Sequence, residues 1–455
     1  MKKIGCISLG CPKNRLDSEI MLGLLHNAGY RIVPEEEAEI LIVNTCGFIQ
    51  EAKEEAIQTT LEAAHYKGSG TCQFLIMAGC FSQRYVSELI DELPEVDLFI
   101  GLDDVPQIVE ICQRLEQGNP QKPARISAML AGIRPSHYLY DQHTPRFHLG
   151  AGHSVYVKIA EGCRYQCAFC AIPMIRGRLR SRPMDSIVAE VTSLAAQGVK
   201  EINLIAQDTT SYGIDFAGKP MIMPLLERLI VIDDLPWIRL MYAYPTNLDL
   251  SLMRLMAASD RICTYLDLPL QHIDNDILSQ MRRAITETQT RALVEQLRIE
   301  IPGLTLRTSF ITGFPGETEA AFEKLMRFVQ EVEFDRMGVF TYSPEDGTLA
   351  YNFPNQIPRE VAEERRQQLM EIQAEISRKK HQTLVGTVQT VLIDGESEET
   401  PLLLEGRMEG QAPEIDGVVY INEGNTTRGT FEQVLITEAF PYDLVGKIVA
   451  ETENL

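Results

Sequence analysis

Apolar and polar positions divide the chain into three stretches of different texture. From residue 1 to about 100, short apolar runs alternate with amphipathic stretches. Ile4–Leu9, Ile40–Val43, Phe74–Ala78 and Asp97–Gly101 predict strands. Asp17–Asn27 predicts a helix, with Ile20, Leu24 and Leu25 on one face and Gly29 as its stop. Glu51–Ala64, Arg84–Leu93 and Val105–Gln117 predict three more. Such alternation predicts a parallel sheet with helices on both faces. It returns between Val155 and Tyr342, with strands at Val155–Ala160, Ile202–Ala206, Ile238–Ala243, Ile262–Leu268, Leu304–Ile311 and Arg336–Phe340. Ser186–Gln197, Thr288–Glu300 and Thr318–Val332 are among the helices between them. Six strand–helix units predict an incomplete (β/α) barrel, with its chemistry at the carboxyl ends of the strands.

The remaining segments differ. Residues 118 to about 150 read as a linker, opened by Gly118-Asn119-Pro120 and Lys122-Pro123 and broken by Pro135 and Pro145. It carries Arg134 and Arg146 with His137, His143 and His148, and these scattered histidines read as solvated rather than as metal ligands. Pro358–Leu384 predicts a long charged helix joining domains, with Val361, Leu369, Ile372 and Ile376 on its apolar side. After Gly386 the short β-type runs Val388–Ile393, Leu402–Glu405, Val418–Ile421 and Gln433–Glu438 predict a small antiparallel barrel. The fold class is therefore α/β multidomain, ending in a β-barrel.

Chemistry enters with the cysteines. Cys163-x-x-x-Cys167-x-x-Cys170 directly follows the apolar run Val155–Ala160, on a loop at a strand end where functional residues are commonly carried. A structural zinc site is closed by four ligands, and iron–sulfur clusters are normally held by four thiolates. A group of three leaves one iron of a four-iron cluster open to a small molecule. The alternative is a zinc knuckle or a disulfide cluster, and no fourth Cys or His stands nearby at the usual spacing. A second set is dispersed. Cys11 follows the first predicted strand, Cys46 the second and Cys80 the third. Ligands bind at the carboxyl ends of strands in an open α/β sheet, so three loops there bring distant thiols together. Gly10, Gly47 and Gly79 beside them permit close backbone approach to a bulky cluster. The alternative is that these are buried core cysteines; Cys6, Cys72, Cys112 and Cys263 read that way.

Polar residues gather at the strand ends of the second stretch: Gln207-Asp208, Tyr244-Pro245, Gln271-His272, and the turn Gly313-Phe314-Pro315-Gly316-Glu317. That last turn leads into a helix N-terminus and suits a closely approaching ligand.

Composition narrows the partners. The net charge of -22 disfavours nonspecific binding to nucleic acid backbones. Between His381 and Leu455, Arg407, Arg428 and Lys447 face fourteen acidic residues, including Asp394, Glu396, Glu398, Glu399, Glu414 and Asp416, a balance of -11. Ten cysteines without a secretion signal point to a reducing compartment and metal binding. No apolar run reaches the ~18 residues of a membrane span.

Glu161-Gly162-Cys163-Arg164-Tyr165-Gln166-Cys167-Ala168-Phe169-Cys170 resembles the cluster loop of the radical S-adenosylmethionine (SAM) superfamily. In that superfamily the open iron binds the amino and carboxylate groups of SAM, and Phe169 matches the aromatic residue before the last cysteine. The whole chain resembles the radical SAM methylthiotransferases, on GCPKN, NTCGF, GC, KIAEGCRYQCAFC, PMIRGRLRSR, SFITGFPGET and YSPEDGT. One branch of that family acts on transfer RNA and another on a ribosomal protein. YLDLPLQH, AQDTTSYG, YSPEDGTLAY and APEIDGVVYIN are similar to the second, the RimO-type ribosomal-protein aspartate methylthiotransferases.

The resemblance implies an N-terminal cluster domain over 1–135, a radical SAM core over 136–380 and a TRAM barrel over 381–455. It implies two [4Fe–4S] clusters, one on Cys163, Cys167 and Cys170 and one on Cys11, Cys46 and Cys80, with SAM as cosubstrate. Phe169, Gln207, Asp208, Gly313, Gly316 and Glu317 are expected to contact SAM. The expected reaction places a methylthio group on the β-carbon of an aspartate in a small-subunit ribosomal protein, met free or on the ribosome. A flavodoxin- or ferredoxin-type electron donor, a cytoplasmic location, no membrane partner and no transfer RNA substrate go with it. Arg176, Arg178 and Arg180 are candidates for docking the substrate aspartate. A transfer RNA methylthiotransferase and a non-catalytic iron–sulfur electron carrier or sensor are the alternatives.

Overall fold

A computed structural model describes residues 2–70, 72–117, 135–150, 152–397 and 399–449. The chain forms two compact units. Met1–Leu149, Ala160–Ser186 and Ser343–Tyr351 make the first; Gly150–Ile159, Ile187–Tyr342 and Asn352–Leu455 make the second. The linker reading of Gly118-Asn119-Pro120, Lys122-Pro123 and Arg134 lies outside the described residues, as does Glu398.

In the first unit, β1 (Lys3–Ser8), β2 (Arg31–Ile32), β3 (Ile40–Thr45), β4 (Phe74–Gly79) and β5 (Leu98–Phe99) form a parallel sheet in the order β2-β1-β3-β4-β5. β3 and β4 are buried along their whole length, which is why both read as unbroken apolar runs. Alternate side chains serve two cores. Ile40, Ile42 and Ile76 pack with Leu16, Ile20 and Ile108, whereas Leu41, Val43, Leu75 and Met77 pack with Ala56, Val86 and Leu89. Burying each such aliphatic side chain is worth roughly 1.5–3 kcal/mol. The first helix spans Pro12–Asn27 and starts ahead of the expected Asp17, because proline is accommodated in the first helical turn. The two-residue strand β2 is too short to leave a periodic signal.

The described part of the expected linker is not a solvated tether. Arg146 pairs with Glu19 at 2.7 Å, the Phe147 N–H donates to Glu19 O, and His148 lies 3.7 Å from the Glu19 carboxylate. Burial alone would raise the Glu19 pKa, but His148 and Arg146 bring it down to about 2. Pro145 packs against Gly23, where any Cβ would meet the proline carbonyl at 2.5 Å. A small residue in the helix thus lets this segment lie flat on it.

The chain continues through β6 (Ser154–Lys158) of the second unit, then β7 (Ala160–Glu161) and β8 (Arg180–Ser181), an antiparallel ribbon in the first. β9 (Glu201–Ile205), β10 (Trp237–Leu240), β11 (Ile262–Asp267), β12 (Thr305–Thr312) and β13 (Arg336–Thr341) join β6 in a parallel sheet of the second unit. Its order is β6-β9-β10-β11-β12-β13, so neighbours along the chain are neighbours in the sheet, as an incomplete (β/α) barrel requires. The Arg359–Gln382 helix packs on β12 and β13. It buries Ala362, Arg365, Leu369, Gln373, Ile376 and Ser377, a face offset from the expected one, so that Val361 and Ile372 are only partly covered. Its polar members have fixed partners: Arg365 holds Glu317, and the Gln373 amide donates to Phe334 O.

β14 (Val388–Glu396), β15 (Leu404–Met408), β16 (Val419–Glu423), β17 (Phe431–Ala439) and β18 (Leu444–Ile448) close into a barrel in the order β14-β15-β16-β18-β17. β16 and β18 run parallel; the other neighbouring pairs are antiparallel. Trp237 meets Phe431 edge-on at 4.8 Å, beside Leu392 and Ala412 from the barrel. The same junction buries charge. Glu201, fully buried, lies 2.8 Å from Arg239 and 2.8 Å from Arg407, and Arg407 also holds Asp394. Burial opposes the Glu201 charge, yet Arg407 and Arg239 carry its pKa from 4.5 down to about 2. No helix among the described residues is long and apolar enough to cross a membrane.

Removing one partner of a buried pair leaves the other uncompensated. Glu201→Gln is expected to lower the unfolding free energy by roughly 3–5 kcal/mol, read from urea denaturation near neutral pH. Because folding depresses this pKa, its stabilisation is complete above 4.5 and is lost as pH falls toward about 2. The variant should therefore show a flatter acid limb than the parent chain.

Candidate functional site

β1, β3 and β4 are adjacent parallel strands, so the loops after them leave the same edge of the sheet. Cys11 caps the Pro12–Asn27 helix after β1, Cys46 directly follows β3, and Cys80 opens the Cys80–Glu92 helix after β4. The glycines beside them seat loop on loop. A Cβ at Gly10 (φ +85°) would fall 2.7 Å from Cys46 Cβ and 3.2 Å from its Sγ. A Cβ at Gly47 would fall 2.7 Å from Phe81 Cα, and one at Gly79 (φ +95°) 2.2 Å from Asn44 Oδ1. The approach these glycines permit is therefore between the cysteine loops themselves, not only toward a bound cluster. Two asparagines that sequence reasoning passed over complete the lock. Asn14 Nδ2 donates to Leu9 O at 2.7 Å, and Asn44 Nδ2 to Asn14 O and Ser18 Oγ at 2.8 Å each. Both stand in the motifs GCPKN and NTCGF, which were the available signal.

Burial pushes the Cys46 thiol up to about 12, with Cys80 and Cys11 adding to the shift. Burial likewise lifts Cys80 to about 11, opposed by the positive charge of Arg176. Thiolate ligation here would require proton release, compensated by the positive charge of a metal.

The second thiol set lies in the same compact unit. Cys163, Cys167 and Cys170 are partly exposed on a loop closed at its base by β7 and β8. Gly162 has φ +77°, and a Cβ there would fall 2.2 Å from Arg178 O. The Cys163 N–H donates to Gly177 O at 3.1 Å and that of Cys170 to Cys167 O at 3.1 Å. Phe169 is half-buried. Ala171 and Ile175, just beyond the last cysteine, pack against Cys80. Arg176 is buried, 3.0 Å from Asp17 and 2.9 Å from Glu161, so it is not the surface arginine expected to dock substrate. Arg180 is partly buried and donates to Arg176 O and Arg178 O, while Arg178 is exposed. The YSPEDGT stretch also belongs here. Glu345 accepts from Arg84 at 2.5 Å and from Lys53 at 3.1 Å, and Arg84 donates to Gly47 O beside Cys46.

In the second unit, Gln207 and Asp208 follow β9, and Gly313–Glu317 follow β12. Asp208 is turned into its own loop, accepting from the Thr210 N–H at 2.9 Å and from Ser211 and Asn247. Burial raises its pKa against these donors. Glu317, fully buried, accepts from the Gly313 N–H at 2.7 Å and Arg365 at 2.7 Å and meets His272 at 3.1 Å. Both carboxylates thus shape loops. Gly313 (φ +75°) has Ala362 behind it, where a Cβ would clash at 2.3 Å.

No group of three or more His, Cys, Asp or Glu side chains among the described residues converges as it would around a metal ion. A four-iron cube takes one thiolate per iron and asks for a wider spread. The donor chemistry fits that group: two sets of three thiols, each on backbone that glycine alone allows to fold so closely.

The Radical SAM superfamily profile matches residues 157–329, the TRAM domain 385–449, and Uncharacterized protein family UPF0004 residues 3–101. The chain is similar to the ribosomal protein uS12 methylthiotransferase RimO of Geotalea uraniireducens, 48% identical over 449 residues and covering 98% of each chain. It is 47% identical over 454 residues to the protein of that name from Syntrophotalea carbinolica, covering 100% of this chain and 98% of the relative. Among solved structures, the radical SAM methyltransferase TsrM of Kitasatospora setae shares the fold, with TM-score 0.54, 15% identity and coverage of 74% and 73%.

Gly10→Ala tests the loop lock. Gly29 shares its left-handed backbone (φ +92°) but has nothing within 4 Å of a Cβ, so Gly29→Ala reads the backbone term alone. Gly10→Ala should cost roughly 1–3 kcal/mol more than Gly29→Ala in urea denaturation, the usual range for overpacking.

Proposed function

The chain belongs to the family of ribosomal protein uS12 methylthiotransferases named RimO, and we propose that it transfers a methylthio group to the β-carbon of an aspartate in that protein, using SAM and two [4Fe–4S] clusters. One observation carries this reading: two sets of three thiols, each one ligand short of the usual four, occur in one compact unit. We assign Cys163, Cys167 and Cys170 to the cluster that binds SAM, and Cys11, Cys46 and Cys80 to the one that carries sulfur. We assign the cluster domain to residues 1–135, the radical SAM core to 136–380 and the TRAM barrel to 381–455.

When bound, these groups supply a deoxyadenosyl radical able to take hydrogen from an unactivated carbon, and a methylated sulfur for delivery to the resulting substrate radical. The protein's part is binding, orientation and exclusion of water. Gly10, Gly47 and Gly79 draw the three N-terminal thiol loops together. Phe169, Gln207, Asp208, Gly313, Gly316 and Glu317 are assigned to SAM; Asp208 and Glu317 act through the loops that they hold. Arg178, exposed beside the cluster loop, remains the candidate for docking the substrate carboxylate.

A protein substrate is supported by the barrel. Of its three basic side chains Arg407 is buried against Glu201 and Asp394, leaving Arg428 and Lys447 to face solvent. Arg428 is tied to Asp394 O, and Lys447 lies 4.0 Å from Glu423. RNA affinity rests largely on Lys and Arg neutralising phosphates. An acidic surface instead attracts a basic protein and speeds its encounter. Electrons come from a flavodoxin- or ferredoxin-type donor in a cytoplasmic setting.

Anaerobic reconstitution should load two [4Fe–4S] clusters per chain. Replacing Cys163, Cys167 and Cys170 together by Ala should leave about half the iron and abolish cleavage of SAM to deoxyadenosine. Replacing Cys11, Cys46 and Cys80 should spare that cleavage and stop methylthio transfer. Full iron content in the first variant would contradict the assignment, as would loss of deoxyadenosine in a folded second variant that keeps its remaining cluster.

A further inference from the structure

We infer, on the assignment of a cluster to Cys11, Cys46 and Cys80, that Arg176 is a positioning residue of that site and sets the cluster's reduction potential through a charge balance with Asp17 and Glu161. Arg176 has a side chain only 2% exposed. Its NH2 donates to Asp17 Oδ2 at 3.0 Å and its NH1 to Glu161 Oε2 at 2.9 Å. Asn14 Oδ1 stands 3.5 Å from NH2. Ile175, its neighbour in the chain, packs on Cys80, and the guanidinium lies within electrostatic reach of Cys80, Cys11 and Cys46. Asn14 and Asp17 are on the helix that Cys11 caps, and Glu161 lies two residues ahead of Cys163. One buried cation therefore holds the segments that carry both thiol sets.

Two carboxylates, 4% and 5% exposed, share this one guanidinium, so the group is anionic overall. Among buried groups, charges act over short distances with less screening than in water. Net charge and hydrogen bonds to sulfur are among the factors that set an iron–sulfur potential. The cation favours the reduced, more negative cluster; Asp17 and Glu161 favour the oxidised one. Opposite substitutions should then move the potential in opposite directions. A purely structural tie between the helix and the β7–β8 ribbon would change stability without that pattern of signs.

The test uses the full chain with Cys163, Cys167 and Cys170 replaced by Ala, reconstituted anaerobically, so that the remaining cluster alone is followed by electron paramagnetic resonance through a redox titration. Arg176→Gln should lower the midpoint potential, Asp17→Asn should raise it, and Arg176→Lys should lie near the parent. Should Arg176→Gln fail to fold, Asp17→Asn carries the test, because it keeps the cation and removes one buried charge. A rise with Asp17→Asn supports the inference. An unmoved midpoint in a variant that keeps its cluster, or shifts of the same sign for Asp17→Asn and Arg176→Gln, would overturn it while leaving the cluster assignment intact. A background chain that binds no iron would overturn the assignment and this inference with it.

Discussion

The first unit depends on β1, β3 and β4 being neighbouring parallel strands. Parallel strands send their following loops out at one edge, so three cysteines spaced along more than sixty residues share an address without a local motif. The thiol loops approach because Gly10, Gly47 and Gly79 carry no Cβ, and Asn14 and Asn44 tie the turns at their base. The cluster loop enters the same unit through the β7–β8 ribbon, the packing of Ala171 and Ile175 on Cys80, and the ion pairs of Arg176. On the proposed assignment, sulfur held at one thiol set would have to meet a radical generated with the help of the other.

The second unit is built around buried charge as well as apolar packing. Glu201, Arg239, Arg407 and Asp394 cross from the sheet to the barrel, with Trp237 against Phe431 alongside. Fixing Arg407 inside this network takes it away from the barrel surface and leaves that surface more acidic than composition alone implies. The interaction that attaches the barrel thus also sets the charge that its surface presents.

Much of this was legible in the sequence. The six strands of the second unit read correctly because each is a short apolar run with a helix after it, and the cysteines could be placed at strand ends for the same reason. Pairings over long separations were not legible. The ties of Glu317 to Arg365, 48 residues on, and to His272, 45 residues back, leave no local signal. Arg176 reads as a surface cation because its partners Asp17 and Glu161 come from separate elements. β2 has two residues, and β18 is interrupted by Gly446, so neither shows a period. The buried face of the Arg359–Gln382 helix was displaced because polar residues with fixed partners occupy it.

Whether a ribosomal protein receives the methylthio group is decided by tandem mass spectrometry of small-subunit proteins and of transfer RNA, from cells with and without this chain. The expected result is a methylthio group on one aspartate of uS12 that is present only with the chain, and transfer RNA that is the same in both. Methylthio-modified transfer RNA that depends on the chain, with uS12 unmodified, would contradict it.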